Sequence, residues 1–353
     1  MDESAGHTST AAAAEPAHVA VIIPAYRDTA AVADAVSALR ASLAVKLDIV
    51  IVNNEPADSL SHLSSPSSNV TVRIIEAGFN SGFTGAVNRG IAATTAPWVF
   101  MHNQDMLVSE HHLTELVSFL GVHPEAACAS GKILRMNPST AHARATIDSA
   151  GIVGRRSRAT FDRGEGEVDR GQYDTVEEVF AASGAGLLVR RVALEDIAQN
   201  GEYLDERLFM YKEDSDLGWR LRLRGWRCFY VPGAPAYHVR SSRALAGRSY
   251  LKHPRAYLRA AAKRSNVTRQ HSMRNQWLII LKNDRWADVA RDAPWILGRE
   301  ALVVCATLVT APRVALGAIG SFVKLIPTLR SRRRQVRGRA TMTGQEIRRW
   351  FRS

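Results

Sequence analysis

The first 120 residues alternate short apolar runs with amphipathic segments. The apolar runs are rich in Val and Ile, which is typical of buried strands, and lie at 18–23, 48–52, 70–75 and 98–102. Other segments carry Ala, Val or Leu at helical spacing and predict helices at 29–43, 84–93 and 109–120. Strands that alternate with helices in this way predict a mostly parallel sheet with helices on both sides.

The pattern changes after the third predicted helix. Residues 135–175 are rich in Gly, Arg and Asp, which predicts loops with short hairpins. Beyond them the sequence predicts a strand at 186–191, a helix at 214–224 and short strands at 226–231 and 236–240. From residue 243 the pattern is helical, basic and dotted with Trp, Leu and Ile. The predicted organisation is a flexible leader at 1–16, an α/β domain at 17–242 and a basic, amphipathic helical region at 243–353.

Charge divides the chain at nearly the same place. The formal net charge is +12, yet residues 1–239 contain 21 Lys and Arg against 29 Asp and Glu, and residues 240–353 contain 25 against 5. A basic tail of this kind indicates an anionic partner, either nucleic acid or a membrane surface. Three widely spaced cysteines give no disulfide framework and no zinc spacing, so a reducing compartment is expected. The acidic N-terminus does not resemble a signal peptide, and no window of about 18 residues is apolar and free of charge.

Polar residues follow four of the predicted strands, at the sheet edge where open α/β sheets bind ligands. These groups are Pro24-Ala25-Tyr26, Asn53-Asn54-Glu55, the Gly-rich segment 80–90 and His102-Asn103-Gln104-Asp105. The glycines would let the backbone approach a nucleotide, and the helix that starts there would offer N–H groups to phosphate. The same glycines also fit a tight loop with positive φ, so both interpretations remain open.

Two residues are candidate ligands of a divalent cation. Asp105 directly follows an apolar strand, and Mg²⁺ typically takes one or two carboxylates together with substrate phosphates. The alternative for Asp105 is a turn or a helix N-cap. His238 lies on a short predicted strand, where it is either structural or, as a neutral imidazole, a metal ligand.

Three acids, Glu213, Asp214 and Asp216, cluster where the helix at 214–224 should begin. The helix macrodipole favours acids in a first turn, which is a sufficient structural explanation. The same dipole would keep an aspartate ionised and able to accept a proton. Asp216 and Arg220 are spaced to form an ordinary intrahelical pair.

Taken together, seven segments between about residues 18 and 242 resemble the inverting family 2 glycosyltransferases of the GT-A fold, which use nucleotide-sugar donors. In order, they are VIIPAYRD, DIVIVNNEP, GFNSGFTGAVNRGI, VFMHNQDM, GAGLLVRR, FMYKEDSDLGWRLRLRGWR and YVPGAPAYHV. The stretch at 147–174 is similar to the rhamnosyltransferase-like branch of that family. The resemblance implies an α/β fold with a Rossmann-like, mixed GT-A sheet flanked by helices.

The resemblance also implies roles for the residues that match. Those implied to contact the donor are Pro24, Ala25, Tyr26, Asn53, Asn80, Gly82, Phe83, Gly85, Asn88, Arg89, Asn103, Gln104 and Asp105. Those implied to lie beside the acceptor are Ser183, Gly184 and Ala185. Asp214, in the pair Glu213-Asp214, matches the catalytic base. Asp105 and His238 match the site of a divalent cation, Mg²⁺ or Mn²⁺.

Three positions depart from the family pattern. Asn53 stands where the family usually has Asp, so the usual carboxylate contact to the nucleobase is missing. Asn103 replaces the first acid of the DXD motif, and Gln104 replaces the Pro of related Asn-Pro-Asp sequences. Metal binding would then depend on Asp105, the donor phosphates and His238.

The leading functional hypothesis is transfer of L-rhamnose from dTDP-rhamnose to a lipid-linked or cell-surface glycan. Other donors remain open: UDP-galactofuranose, UDP-GlcNAc and a UDP- or GDP-hexose. A non-catalytic, membrane-bound scaffold of a polysaccharide assembly is an alternative of a different class. Basic helices with Trp and Leu faces suit an anionic membrane surface. The alternative is that these helices pack only on the catalytic domain or on a protein partner. No nucleic-acid partner is expected, because the sequence shows no recognised nucleic-acid-binding fold. The predicted location is cytoplasmic, peripheral on the inner face of the cell membrane.

Overall fold

The computed structural model describes residues 15–55, 60–64, 67–136, 145–239 and 265–351. Its strands are β1 (Ala17–Ala25), β2 (Val45–Asn53), β3 (Val70–Glu76), β4 (Trp98–His102), β5 (Met106–Val108), β6 (Ala126–Arg135), β7 (Thr146–Ser149), β8 (Ile152–Gly154), β9 (Thr160–Asp162), β10 (Glu177–Glu178), β11 (Gly186–Arg190) and β12 (Arg227–His238).

Its helices are α1 (Thr29–Arg40), α2 (Gly82–Ala92), α3 (His112–Val122), α4 (Arg191–Ile197), α5 (Glu213–Leu223), α6 (Asn266–Asn283), α7 (Trp286–Thr310), α8 (Pro312–Gly338) and α9 (Gly344–Arg348). Short 3₁₀ turns lie at Ser61–Leu63, Glu206–Leu208 and Arg349–Phe351. The four strands and three helices predicted within the first 120 residues are all present, with shifts of a few residues at their ends.

The main sheet is mixed. Its strand order is β10-β12-β6-β11-β4-β1-β2-β3, with β5 on β12 and β7 on β6. Strands β1 to β4 are mutually parallel where they pair, β12 is parallel to β6, and β11 runs antiparallel between β4 and β6. Helices cover both faces of the sheet, so the predicted α/β fold with a mixed GT-A sheet is confirmed.

Strand β1 shows how the sequence pattern generates this arrangement. Val19, Val21 and Ile23 pack with α1 and α3 on one face, whereas Ala20 and Ile22 pack with α2 on the other. All five side chains are fully buried. A strand covered on both faces loses the polar alternation of a half-exposed strand, which explains the continuous apolar run.

Strand β6 was not predicted, although it is central to the sheet. Its sequence, AACASGKILR, begins with small residues instead of the β-branched residues that mark strands. At one of these positions a glycine is required, because Gly131 lies against the backbone of Ala234 and a Cβ there would collide with that carbonyl oxygen. The two short strands predicted at 226–231 and 236–240 are one strand, β12, with a register shift between Val231 and Pro235.

The first C-terminal helix, α6, packs on the α/β domain through buried polar groups. Lys282 Nζ lies 2.6 Å from Asp205 Oδ2 and 2.8 Å from Asp216 Oδ1. The predicted Asp216–Arg220 pair is confirmed, with Arg220 Nε 2.9 Å from Asp216 Oδ2. Removing one member of such a buried network leaves an uncompensated charge and typically destabilises a protein by about 3–5 kcal/mol. The predicted domain boundary near residue 243 and nearly all of the leader lie outside the described residues.

Candidate active site

A cavity of about 570 Å³ opens beyond the carboxyl end of β4, between that edge and the start of α5. Its wall includes eight of the residues that the sequence indicated: Asn103, Asp105, Ser183, Gly184, Ala185, Glu213, Asp214 and His238. The β8–β9 hairpin and the start of α6 complete the wall through Thr160, Asp162 and Thr268. The fold therefore brings the candidate base, the candidate metal ligands and the acceptor-side residues to one place.

Asp105 and His238 are in direct contact at this cavity. His238 Nε2 lies 3.1 Å from Asp105 Oδ1, and His238 Nδ1 lies 2.9 Å from Asp148 Oδ2. Asp148 is fully buried and also accepts a hydrogen bond from Arg135 Nε at 3.1 Å. Burial lowers the pKa of His238, but the hydrogen bonds to the two carboxylates outweigh it and raise that pKa to about 9.

These three residues fit a divalent-cation site. A metal-ligating histidine usually donates its second ring N–H to a carboxylate, as His238 does if Nδ1 carries the proton toward Asp148. Nε2 and the Asp105 carboxylate then face the cavity as a nitrogen and an oxygen ligand. Among the described residues no group of three or more His, Cys, Asp or Glu side chains is placed to hold a metal ion, so the protein offers two ligands here. Any cation here would need further oxygens from a bound substrate.

Asp214 lies in the first turn of α5, where the positive end of the helix dipole stabilises a negative charge. Its Oδ1 accepts hydrogen bonds from the Ser215 amide at 2.6 Å and from Ser215 Oγ at 3.2 Å. Gly184 passes so close that an added Cβ would lie 3.0 Å from the Asp214 Cβ. The loop at 183–185 therefore shapes the wall next to this carboxylate.

Glu213 differs from its neighbour Asp214. Its Oε2 is enclosed and has no hydrogen-bond partner among the described residues. Burial, and after it the negative charge of Asp214, raises the pKa of Glu213 to about 8. Two adjacent acids thus have different environments, one partly open and dipole-stabilised, the other enclosed.

The chain enters α5 through an unusual backbone segment. Phe209, Tyr211 and Lys212 have φ values of 63°, 69° and 71°, in the left-handed region that non-glycine residues rarely adopt. Each such residue costs about 1–3 kcal/mol, which contacts with the surrounding structure must offset. The conformation therefore indicates that neighbouring elements fix this loop in place.

The other donor-side residues lie along the same edge of the sheet but outside the cavity wall. Pro24 and Ala25 end β1, and the backbone of Tyr26 exchanges two hydrogen bonds with the Gln104 amide, at 2.6 and 3.1 Å. The side chain of Gln104, where related sequences have Pro, thus ties the end of β1 to the turn that carries Asp105. The structure gives this departure a structural role.

Asn53 is buried at the end of β2 and donates to Glu76 Oε2 at 2.9 Å. The two residues are register partners on β2 and β3. A carboxylate is therefore present at this edge although position 53 itself lacks one. A carboxylate here can accept a hydrogen bond from an imide N–H, such as that of thymine or uracil.

The Gly-rich segment forms the start of α2. Asn80 Oδ1 accepts from the Gly82 amide at 2.9 Å, and Gly82 has φ 72°. A Cβ on Gly82 would lie 2.5 Å from the Phe209 carbonyl oxygen, so close approach to the loop before α5 requires glycine. The tight-loop interpretation of this glycine is thus confirmed, while its contact with a nucleotide stays a prediction.

The remaining residues of this segment are in or next to α2. Phe83 is partly buried, and Gly85 packs against Ser81. Asn88 uses its buried amide to bind the backbone of Tyr203 and Leu204, and Arg89 donates to the Ala77 carbonyl at 3.0 Å. Asn88 and Arg89 hold neighbouring segments together, and their predicted donor contacts remain predictions.

Sequence reasoning missed three residues near the site. Asp148 lies within the segment that resembles the rhamnosyltransferase-like branch, yet nothing in its spacing points to His238, 90 positions away. Glu76 looks like an ordinary strand-end acid. Asn275 lies in the region interpreted as a membrane-associating tail. Each could be assigned only when the fold placed it beside its partner.

Residues 16–277 match the family model described as "Glycosyltransferase like family 2", which covers most of the chain and extends into α6. The chain is 31% identical over 190 residues to the N-acetylglucosaminyl-diphospho-decaprenol L-rhamnosyltransferase of Mycobacterium tuberculosis, covering 47% of this chain and 58% of that protein. It is 23% identical over 216 residues to the poly-beta-1,6-N-acetyl-D-glucosamine synthase of Staphylococcus aureus, covering 61% of this chain and 48% of that protein.

The chain thus spans about half the length of the curated relatives it matches. Among solved structures, GalNAc-T7 with UDP, GalNAc and Mn²⁺ is similar with a TM-score of 0.52 at 13% identity, covering 76% of this chain and 48% of that one. This structural likeness supports the fold. Because the family model matches about three quarters of the sequence, and the sheet and helices agree with it, the chain belongs to the family 2 glycosyltransferases.

Proposed function

We propose that this glycosyltransferase transfers a sugar from its nucleotide donor to an acceptor hydroxyl by direct displacement with inversion, with Asp214 as the general base. The observation that carries this proposal is the placement of Asp214 at the start of α5, in the same cavity as the Asp105–His238 pair. A base and a candidate diphosphate site that share one cavity are what a single displacement requires.

The acceptor oxygen forms a bond to the anomeric carbon while the bond from that carbon to the diphosphate oxygen breaks. The hydroxyl proton passes to Asp214, most simply to Oδ2, since Oδ1 already accepts from Ser215. The nucleoside diphosphate leaves on the opposite face, so the anomeric configuration inverts.

Asp105 and His238 are the residues that would hold a divalent cation, Mg²⁺ or Mn²⁺, with Asp148 orienting the imidazole. When bound, such a cation neutralises negative charge that develops on the departing diphosphate. GalNAc-T7, whose structure contains UDP and Mn²⁺, supports a divalent cation on this fold. Donor phosphates would complete the ligand set.

For the donor and acceptor, the proposed pair is dTDP-rhamnose and a lipid-linked or cell-surface glycan. The mycobacterial L-rhamnosyltransferase supports this choice, because its name states transfer of L-rhamnose onto a decaprenyl-diphosphate-linked sugar. The carboxylate of Glu76 beside Asn53 is compatible with thymine and uracil alike. UDP-galactofuranose, UDP-GlcNAc and UDP- or GDP-hexoses remain the competing donors.

A thermal-shift panel of nucleotide sugars tests the donor. With Mn²⁺ present, dTDP-rhamnose should raise the melting temperature more than the other sugars, because bound ligand stabilises only the folded state. Ligand at about 100 times its Kd contributes about 2.7 kcal/mol, which is readily measured as a shift. A larger shift from a UDP- or GDP-sugar would reject the rhamnose donor while leaving the transferase intact. No shift from any sugar, and no donor hydrolysis, would favour the scaffold.

We also propose that α7 and α8 contact an anionic membrane at the cytoplasmic face. Both helices are long and apolar enough to cross a membrane by length and composition, yet only 22% of each apolar window is buried. Apolar core helices of soluble proteins are mostly buried, so this surface needs another explanation. Leu297, Val309 and Leu316 are 66%, 85% and 62% exposed, the last two near the turn between the helices.

Co-sedimentation with phosphatidylglycerol vesicles tests this contact. In the full chain, replacing Val309 and Leu316 together by Asp should lower vesicle affinity by more than about tenfold, because each aliphatic side chain that enters the bilayer contributes about 1.5–3 kcal/mol. The matched control replaces Val122 and Val192 by Asp. These two valines lie on the α/β domain and are 75% and 56% exposed. Equal vesicle binding by both double variants would reject the membrane surface.

A further inference from the structure

The loop before α5 contacts a residue of α6 that no sequence motif indicated. Asn275 is fully buried, and its Nδ2 lies 2.9, 2.8 and 2.7 Å from the carbonyl oxygens of Leu208, Met210 and Tyr211. The two amide hydrogens are thus shared among three acceptors of one short segment. Asn275 Oδ1 accepts from Arg274 Nε at 2.9 Å, which fixes the orientation of the amide.

The same segment contacts the donor side of the site from its other face. The carbonyl of Phe209, between the residues that bind Asn275, accepts from the Thr84 amide at 3.1 Å. Thr84 lies in the first turn of α2 and is fully buried. The ring of Phe209 stacks on His271 of α6, with centroids 5.1 Å apart. Residues 208–211 are therefore held between α2 and α6.

This segment contains the left-handed residues Phe209 and Tyr211 and leads through Lys212, also left-handed, into Glu213 and Asp214. A left-handed conformation at non-glycine residues persists only where surrounding contacts fix it. Three of the four carbonyls that define the segment are fixed by one side chain of α6. Asn275, together with Arg274 Nη2, which donates to the Leu208 carbonyl at 2.9 Å, thus holds the backbone that leads into the first turn of α5.

We propose that Asn275 is a positioning residue for the transfer reaction: its amide holds residues 208–211 in the conformation that aligns Asp214 with the donor site built on α2. This inference rests on the proposed role of Asp214. Asn275 itself lies outside the cavity wall and acts through the backbone that it holds. A displacement of a reacting group by about 1 Å can lower a rate by about 10²-fold.

The adjacent residue, Gln276, provides a matched control. It is also fully buried in α6, and its Nε2 donates to the Arg158 carbonyl at 2.7 Å instead of to a carbonyl of residues 208–211. Asn275→Ala and Gln276→Ala each remove a buried side-chain amide from the same helix. A purely structural role predicts similar losses of thermal stability and similar activities for both variants.

In the chain described here, we expect Asn275→Ala to lower kcat by about 10- to 100-fold, with the donor Kd changed less than about threefold. Amide hydrogen exchange of residues 208–215 should become at least about tenfold faster, because local opening governs exchange. Gln276→Ala should leave kcat within about twofold and exchange in 208–215 unchanged. Equal kcat, corrected for folded fraction, and equal exchange in the two variants would overturn the proposal.

A second variant keeps the proposal testable if Asn275→Ala fails to fold. His271→Ala removes the stacking contact on Phe209 but leaves the Asn275 hydrogen bonds, so faster exchange in 208–215 and a smaller drop in kcat are expected. Unchanged exchange in this variant would count against control of the loop by α6. Hydrogen exchange is measured without turnover, so it tests the positioning role independently of the transfer reaction. Unchanged exchange with normal transfer by wild type would reject the positioning role alone. Faster exchange in a protein that transfers no sugar would reject the proposed reaction alone.

Discussion

Asp214→Asn should lower kcat by about 10³-fold while donor affinity stays within about twofold of wild type. A positioned general base contributes about 10²–10⁴-fold, and an amide of the same size cannot accept the acceptor's proton. Asn can still accept the Ser215 hydrogen bonds at Oδ1, so the start of α5 should keep its conformation. Steady-state transfer with a saturating donor measures the rate, and calorimetric titration with the nucleoside diphosphate measures binding.

Asp162 supplies the matched control for this substitution. It is an aspartate of the same cavity wall, but it lies on β9 and not at the start of a helix. Its Oδ1 is 3.5 Å from Ser183 Oγ. Asp162→Asn should reduce kcat by less than about tenfold, since no proton transfer is assigned to it. If Asp214→Asn turns over at a rate within about tenfold of wild type, Asp214 is not the base and direct displacement needs another proton acceptor.

The hydrophobic pattern was a reliable guide to the first half of the fold for a physical reason. Strands buried on both faces are continuous Val and Ile runs, so β1 to β4 are recognisable without any tertiary information. Strand β6 could not be recognised, because it begins with small residues of low strand propensity, and its Gly131 is required by the close backbone of β12. That constraint exists only once the two strands are adjacent.

The sequence could indicate those candidate site residues that lie directly at the end or start of a predicted strand or helix. Asp105 and Asp214 each stand at the end or start of an element, and the structure confirms that they share a cavity. The partners that control them come from elsewhere in the chain: Asp148 on His238, and Asn275 on the loop before α5. Long-range hydrogen bonds of this kind leave no periodic signal in one sequence.

The charge of the C-terminal region has a partly internal explanation. Arg332 contacts Glu202, and Arg339 Nη2 lies 3.3 Å from Asp196 Oδ1, so some basic residues of α8 and its end neutralise acids of the α/β domain. The opposite charges of the two regions therefore also serve packing. Membrane contact must then rest on the exposed apolar residues of α7 and α8 as well as on net charge.

Asp105→Ala should weaken Mn²⁺-dependent donor binding by at least about 100-fold, because it removes the carboxylate ligand of the proposed cation site. Changes to the residues that merely orient metal ligands typically cost about 10–100-fold in metal affinity. Asp148→Asn changes the carboxylate behind His238, which also pairs with Arg135, and should accordingly give a smaller loss of Mn²⁺-dependent binding than Asp105→Ala. Titration of the nucleoside diphosphate into the protein, once with Mn²⁺ present and once with EDTA, measures the metal-dependent and the metal-free affinity separately.

The metal-free titration makes this prediction decisive. The Asp105 side chain is about one-third exposed and contacts His238 at its edge, so its removal should leave the fold and the metal-free affinity nearly unchanged. Asp162→Asn, in the same wall, should retain the full enhancement by Mn²⁺. If Asp105→Ala retains it too, the cation binds elsewhere or is not used. The Asp105–His238 contact would then be a structural ion pair. The His238 imidazole is hydrogen-bonded to both Asp105 and Asp148, and its pKa of about 9 means that it carries a positive charge at neutral pH.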